Sequence, residues 1–138
     1  MKYSVLVADP PWRYNQRAAH VKTKFGLGVH AHYDTMSDQE LRNLGDVVKP
    51  AMEDNSVLFL WTCPSRNPKI AVDIMEAWGY RYSTRAFTWI KLTKLGSPMY
   101  NPGYTTAANA EDVFVGYRGS LPPSRRMISS VIFTHGRL

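Results

Sequence analysis

Two kinds of apolar pattern divide the chain. Val5-Leu6-Val7-Ala8 and Ser56-Val57-Leu58-Phe59-Leu60-Trp61 are short, nearly unbroken apolar runs, the length and character of buried strands. Other apolar residues fall at helical spacing. Ser37-Asp38-Gln39-Glu40 forms a capping box and predicts a helix running toward Lys49 and stopping near Pro50. From Asn67 to Trp78, Ile70, Ile74, Ala77 and Trp78 share a helical face, and Gly79 follows as a C-terminal stop. Residues 80–90, 111–117 and 129–134 read as further strands, and 116–123 as a turn. The spans 10–36 and 91–110 read as long loops, a length that is uncommon without a functional reason. Strands alternating with helices in the first half predict an α/β fold with a parallel sheet. Ligands of such sheets sit at the carboxyl ends of the strands, where this pattern places Asp9, Thr62-Cys63-Pro64 and Lys91.

At 138 residues the chain fits a single domain, 1–138, with room for a real core. No apolar stretch approaches the roughly 18 residues of a membrane helix, and the first strand follows Met1-Lys2 with no signal peptide between, so no membrane partner is expected. Cys63, the only cysteine, cannot form an internal disulfide and fits a reducing cytoplasm. The net charge of +6 favours a polyanionic partner, although a moderately basic solvated surface has the same count. Arg13, Arg17, Lys22 and Lys24 lie in the first long loop, where a nucleic-acid backbone can reach them.

The chemistry concentrates in Asp9-Pro10-Pro11-Trp12, directly after the first strand. The prolines have fixed φ and no N–H, so they stiffen the loop and end the ladder. Their carbonyls are expected to remain free acceptors. With the Asp9 carboxylate and the flat Trp12 ring, they suit a planar amine such as the exocyclic amino group of a nucleobase. The same four residues also make a rigid hydrophobic corner opened by an Asp-Pro turn. Trp12 and Tyr33, in or beside loops, are the candidates for stacking on a base. Trp61 and Trp89 end apolar strands and read as core. His30 and His32 lack an acidic or cysteine partner at a chelating spacing, so no metal is expected. The glycine pairs at 26–28 and 116–119 do not make a dinucleotide fingerprint.

Together these blocks resemble the adenine-specific N6 methyltransferases of permuted motif order, the superfamily that contains the mRNA adenosine methyltransferase catalytic subunit and its phage and bacterial relatives. Val7-Ala8-Asp9-Pro10-Pro11-Trp12-Arg13-Tyr14 is similar to the catalytic motif, and His32-Tyr33-Asp34-Thr35-Met36-Ser37 to the block before the capped helix. Leu58-Phe59-Leu60-Trp61-Thr62, Ala77-Trp78-Gly79-Tyr80 and Thr88-Trp89-Ile90-Lys91 follow in the family's order, then Glu111 and Gly116-Tyr117-Arg118-Gly119. The resemblance implies a Rossmann-like sheet with helices on both faces and S-adenosylmethionine as methyl donor. It implies catalytic roles for Asp9, Pro10, Pro11 and Trp12, cofactor contact at Ala8 and Asp9, and substrate contact at Tyr33, Trp89, Lys91 and Glu111. Nucleic acid is the implied substrate, DNA ahead of RNA, in the cytoplasm of a bacterium or phage-infected host.

Two departures qualify the resemblance. The Arg or His usual before Glu111 is replaced by the Ala107-Ala108-Asn109 region. The chain also reaches Leu138 where a His-Ser-x-Lys-Pro-like block and the family's ribose-gripping residues are expected, so the sheet is expected to be incomplete there. A second chain or further segment would then complete the cofactor site. The rival readings are an inactive or split member that binds nucleic acid or a subunit, and an amino-methyltransferase acting on cytosine or a protein glutamine.

Overall fold

The computed structural model describes residues 1–13, 34–64, 66–100, 106, 107, 109–120 and 127–135. Five strands, β1 (Tyr3–Ala8), β2 (Met52–Trp61), β3 (Arg81–Leu92), β4 (Ala110–Arg118) and β5 (Val131–His135), form one sheet in the order β1-β2-β4-β3-β5. Three helices accompany it: α1 (Asp38–Asn43), α2 (Gly45–Ala51) and α3 (Pro68–Ala77).

The sheet is mixed, which corrects the all-parallel expectation. β1 and β2 are parallel, as are β3 and β5, while β4 runs antiparallel to both of its neighbours, β2 and β3. A parallel step needs a crossover, usually a helix. None lies between β3 and β4 among the described residues, so β4 returns beside β3 in the opposite direction.

Alternation along β2 decides which face is covered. Ser56, Leu58 and Leu60 are fully buried, and the two leucines join Leu41 of α1 and Ile74 and Met75 of α3 in one cluster. Leu44 and Val48 pack against the same cluster from the α1–α2 junction and α2. The opposite face carries Val57, Phe59 and Trp61, with Val5 and Val7 of β1 exposed beside them. Among the described residues the helices therefore cover one face, where the resemblance implies two.

Local sequence explains the helix ends. The Ser37–Glu40 capping box is formed: Glu40 Oε2 accepts from the Ser37 N–H at 2.7 Å, and Ser37 Oγ accepts from the Glu40 N–H at 3.3 Å. The Ser37 hydroxyl, which donates to Glu40 Oε2 at 2.6 Å, and after it the Ser37 N–H hold the Glu40 carboxyl below its ordinary range. The expected helix toward Lys49 is two short ones that break at Leu44, and Pro50 lies in the last turn instead of ending the helix before it. With no N–H, Pro50 cannot donate the i→i−4 bond to the Asp46 carbonyl, so this short helix lacks that bond in its last turn. In α3, Asn67 caps the Lys69 N–H at 2.9 Å, Pro68 opens the helix, and Gly79 takes φ +87° after it.

Helix α2 begins against the end of α3. A Cβ at Gly45 would stand 2.6 Å from the Ala77 carbonyl oxygen, a backbone atom with little room to retreat. Ala is the better helix former by about 1 kcal/mol, but overpacking costs about 1–3 kcal/mol. Gly45→Ala is therefore expected to lower the urea midpoint, and a raised midpoint would show that the two helices can slide apart.

Candidate active site

Strands β1, β2, β3 and β5 share one direction, so their carboxyl ends meet the amino end of β4 at a single edge of the sheet. There the register sets Ala8 beside Leu60, Trp61 beside Val113, Trp89 beside Glu111, and Lys91 beside Thr134. Period-two alternation then brings Asp9, Trp61, Trp89, Lys91 and Glu111 to the face away from the helices. Four of the predicted site residues are thus gathered from three strands: Asp9, Trp89, Lys91 and Glu111.

Their contacts are specific. Lys91 Nζ donates to Glu111 Oε1 at 3.1 Å and lies 4.2 Å from the centroid of the Trp89 ring, a cation–π arrangement. Trp61 meets Trp89 edge-on at 5.6 Å and 73°. Asp9 is exposed over part of its surface, yet its carboxyl is raised above the ordinary range. Desolvation by its surroundings is the largest cause, and the Glu111 charge adds to it while Lys91 opposes both. Two carboxylates and one ammonium thus set the local field.

The tetrapeptide itself is pinned in ways the sequence did not disclose. The Pro10 carbonyl is not free of local competition: it accepts the Trp12 N–H at 2.8 Å, which leaves its second lone pair for a ligand. The Pro11 carbonyl accepts the Met36 N–H at 2.9 Å. Trp12 is buried in the helix-side core, and its Nε1 donates to the Trp61 carbonyl at 3.1 Å. The flat surface expected at Trp12 is therefore spent on packing, and the half-buried aromatic pair on the face away from the helices is Trp89 with Trp61, the pair that apolar patterning assigned to the core. Ala8 also packs against the core cluster, so its backbone is what remains available to a cofactor.

Arg66 is a supporting residue that sequence reasoning missed. Its guanidinium makes two bonds to the Asp38 carboxylate, at 2.5 and 2.7 Å, and donates to the Arg13 carbonyl at 2.5 Å. It thus ties the chain leaving Trp12 to the start of α1. The only hint in the sequence was its place just beyond the carboxyl end of β2. A cleft of about 120 Å³ beside it, lined by Trp12, Thr62, Cys63 and Phe114, opens on the helix side and is small for a nucleobase-sized ligand. Arg13 is exposed next to the tetrapeptide. Tyr33, Arg17, Lys22 and Lys24 lie outside the described residues. No described helix is long and apolar enough to cross a membrane.

The donor set fits a sulfonium cofactor on charge. The Asp9 and Glu111 carboxylates would balance a positive sulfur, and Lys91 would supply a cation for an amino-acid carboxylate.

The MT-A70 family model matches residues 3–135. The chain is 32% identical to the Type II methyltransferase M.MunI of Mycoplasma sp. over 90% of its own length and 54% of that protein. It is 33% identical to the N(6)-adenosine-methyltransferase MT-A70-like protein of Drosophila melanogaster over 68% of its length and 12% of that protein. The chain thus spans about half of the first relative and a smaller part of the second. With the family model matched from β1 through β5 and the Asp9 tetrapeptide at the convergent strand ends, the chain belongs to the MT-A70 family.

Proposed function

We propose that this site transfers a methyl group from S-adenosylmethionine to the N6 amino group of adenine in DNA. The observation that carries the reading is the convergence of Asp9, Glu111, Lys91 and Trp89 at one sheet edge, on the side the helices leave open. When bound, the cofactor supplies an electrophilic methyl on a sulfonium. Adenine's amine is a poor nucleophile because its lone pair is delocalised into the ring. The Asp9 carboxylate and the remaining lone pair of the Pro10 carbonyl accept its two N–H groups, which turns the lone pair out of conjugation and aims it. Trp89 offers a plane for the base. These are contributions of position and electrostatics. A base in a duplex must leave the stack to arrive here. DNA is favoured over RNA because the match to the Type II methyltransferase covers more of both chains. Incubation with labelled cofactor and DNA, followed by nucleoside analysis, tests the reading. N6-methyldeoxyadenosine supports it, whereas N4-methyldeoxycytidine or methylated protein as the product would overturn it.

The charges give this reading a pH signature. Asp9 must be ionised to accept N–H groups, and its raised pKa means that activity falls, as the medium is acidified, at a higher pH than an ordinary aspartate would require. Glu111→Gln removes a charge that raises it and should move the acidic limb down. Lys91→Met removes the opposing cation and should move it up. The pH dependence of kcat/KM checks both signs.

The basic loop supplies a further expectation. Neutralising phosphates releases counterions, so affinity for DNA should fall steeply between about 50 and 200 mM salt. Replacing Lys22 and Lys24 by Ala should weaken binding to all sequences and flatten that salt dependence. Equal affinity at both salt concentrations would remove the case for a phosphate-binding loop.

A second reading rests on the sheet face that no described helix covers. Val5 and Val7 are 54% and 64% exposed on an edge strand, a surface suited to another polypeptide segment. On this reading the 138-residue chain is a methyltransferase module that needs a second polypeptide to complete its cofactor site. Calorimetric titration with S-adenosylmethionine separates the two: micromolar affinity of the chain alone excludes the dependent module.

A further inference from the structure

We propose that Thr134 and Trp89 are positioning residues for the Lys91 ammonium, holding it beside Glu111 and Asp9. Thr134 pairs with Lys91 across the β3–β5 ladder, and alternation puts it on the same face as Trp89. Its Oγ1 accepts from Trp89 Nε1 at 2.7 Å. The indole is thus held by a hydrogen bond from β5 on one side and by the edge of Trp61 on β2 on the other. Lys91 Nζ sits 4.2 Å from the centroid of that ring and 3.1 Å from Glu111 Oε1. A lysine stem has four rotatable carbons and a freely turning head, so two fixed contacts decide where its charge resides.

Packing does not account for Thr134. Strand β5 is exposed at all five positions, and the hydroxyl buries nothing in the core. What it does is fix the plane over which the ammonium rests. Charge reaches Asp9 from Glu111 on β4 and Lys91 on β3, so the placement of this one cation bears on the protonation of the acceptor carboxylate. The inference deepens the methyltransferase reading, because Asp9 is that reading's acceptor. It can nevertheless be measured with neither cofactor nor substrate present, so it stands or falls separately from turnover.

The experiment is a carbon-13 NMR titration of the Asp9 carboxyl in the labelled 138-residue chain, its threonine and lysine variants alongside. Thr134→Val removes the acceptor at nearly constant shape, and Lys91→Met defines the shift for complete loss of the cation. The expected result for Thr134→Val is an upward shift of the Asp9 midpoint, in the direction of Lys91→Met, with Thr134→Ser at the parent value. The shift separates positioning from simple loosening. If the valine only frayed β5, the edge opposite β1, the desolvation of Asp9 would be unaltered and its midpoint would stay at the parent value. A midpoint that is unchanged or lowered in Thr134→Val overturns the proposal. Should that variant fail to fold, Trp89→Phe, which keeps a ring but removes the N–H, is read against the same two outcomes.

Discussion

Asp9→Ala is expected to reduce methyl transfer by about a hundred- to a thousandfold, the scale on which removal of one preorganised polar group acts in other sites, while the fold survives. Asp9 follows the last residue of β1 and is exposed over part of its surface, so the alanine opens no core cavity. Linkage sharpens the expectation. A carboxyl whose folded pKa is raised favours the folded state most when protonated, and that advantage is lost as pH rises through the folded value. At neutral pH Asp9 therefore detracts from stability, and Asp9→Asn should unfold no more easily than the parent. The two changes together form a signature: activity lost, stability kept or raised. A turn-capping role for Asp9 predicts the reverse, with activity retained and a lowered denaturation midpoint. Both follow from parallel turnover and urea measurements on the same preparations.

The second large effect concerns the other end of the tetrapeptide. Trp12→Ala should cost about 3–5 kcal/mol of stability, as truncation of a buried indole does. The ring is 6% exposed within the helix-side cluster, and its Nε1 holds the Trp61 carbonyl. Trp12→Phe keeps most of the volume and loses one hydrogen bond, a change nearer to 1 kcal/mol. Trp89→Ala should instead raise KM with a smaller loss of stability, because that ring stands on the open face. A Trp12→Ala variant with the parent's denaturation midpoint and a raised KM would restore Trp12 as the stacking surface.

The exchange of roles between Trp12 and Trp89 shows where the sequence was legible and where it was not. Local codes were legible: the strand at Val5–Ala8, although Val5 and Val7 are exposed where a buried strand was expected, the capping box at Ser37 and Glu40, and the helix bounded by Asn67 and Gly79 all depend on neighbouring residues. An aromatic at the end of an apolar run could face either side of the sheet, and only the register says which. Strand direction is equally silent in a period-two pattern, which is why β4 was expected to run parallel. Residues 52–55 extend β2 although Glu53, Asp54 and Asn55 look like loop: Met52 pairs with Tyr3, and the register then shifts before Val5 meets Val57. Asp9 was marked by its own motif and Lys91 by its place at a strand end, Glu111 through the family resemblance, and the structure gathers the three. Arg66 and Thr134 carried no such mark, since each acts through a partner far away in sequence: Arg13 and Asp38 for one, Trp89 for the other.

The strand order has a consequence for hydrogen exchange. Strand β4 has a ladder on both sides, so its amides should exchange only through global unfolding, whereas β1 and β5 are edges that can peel away in smaller openings. The site draws on both kinds of strand. Glu111 stands on the central strand, while Asp9 extends from one edge strand and Thr134 lies within the other. The acceptor carboxylate can therefore leave its charged neighbours by local fraying of β1, at a free energy below that of unfolding the protein. Any ligand that bridges Asp9 and Glu111 should slow exchange most in β1 and leave β4 nearly as it was.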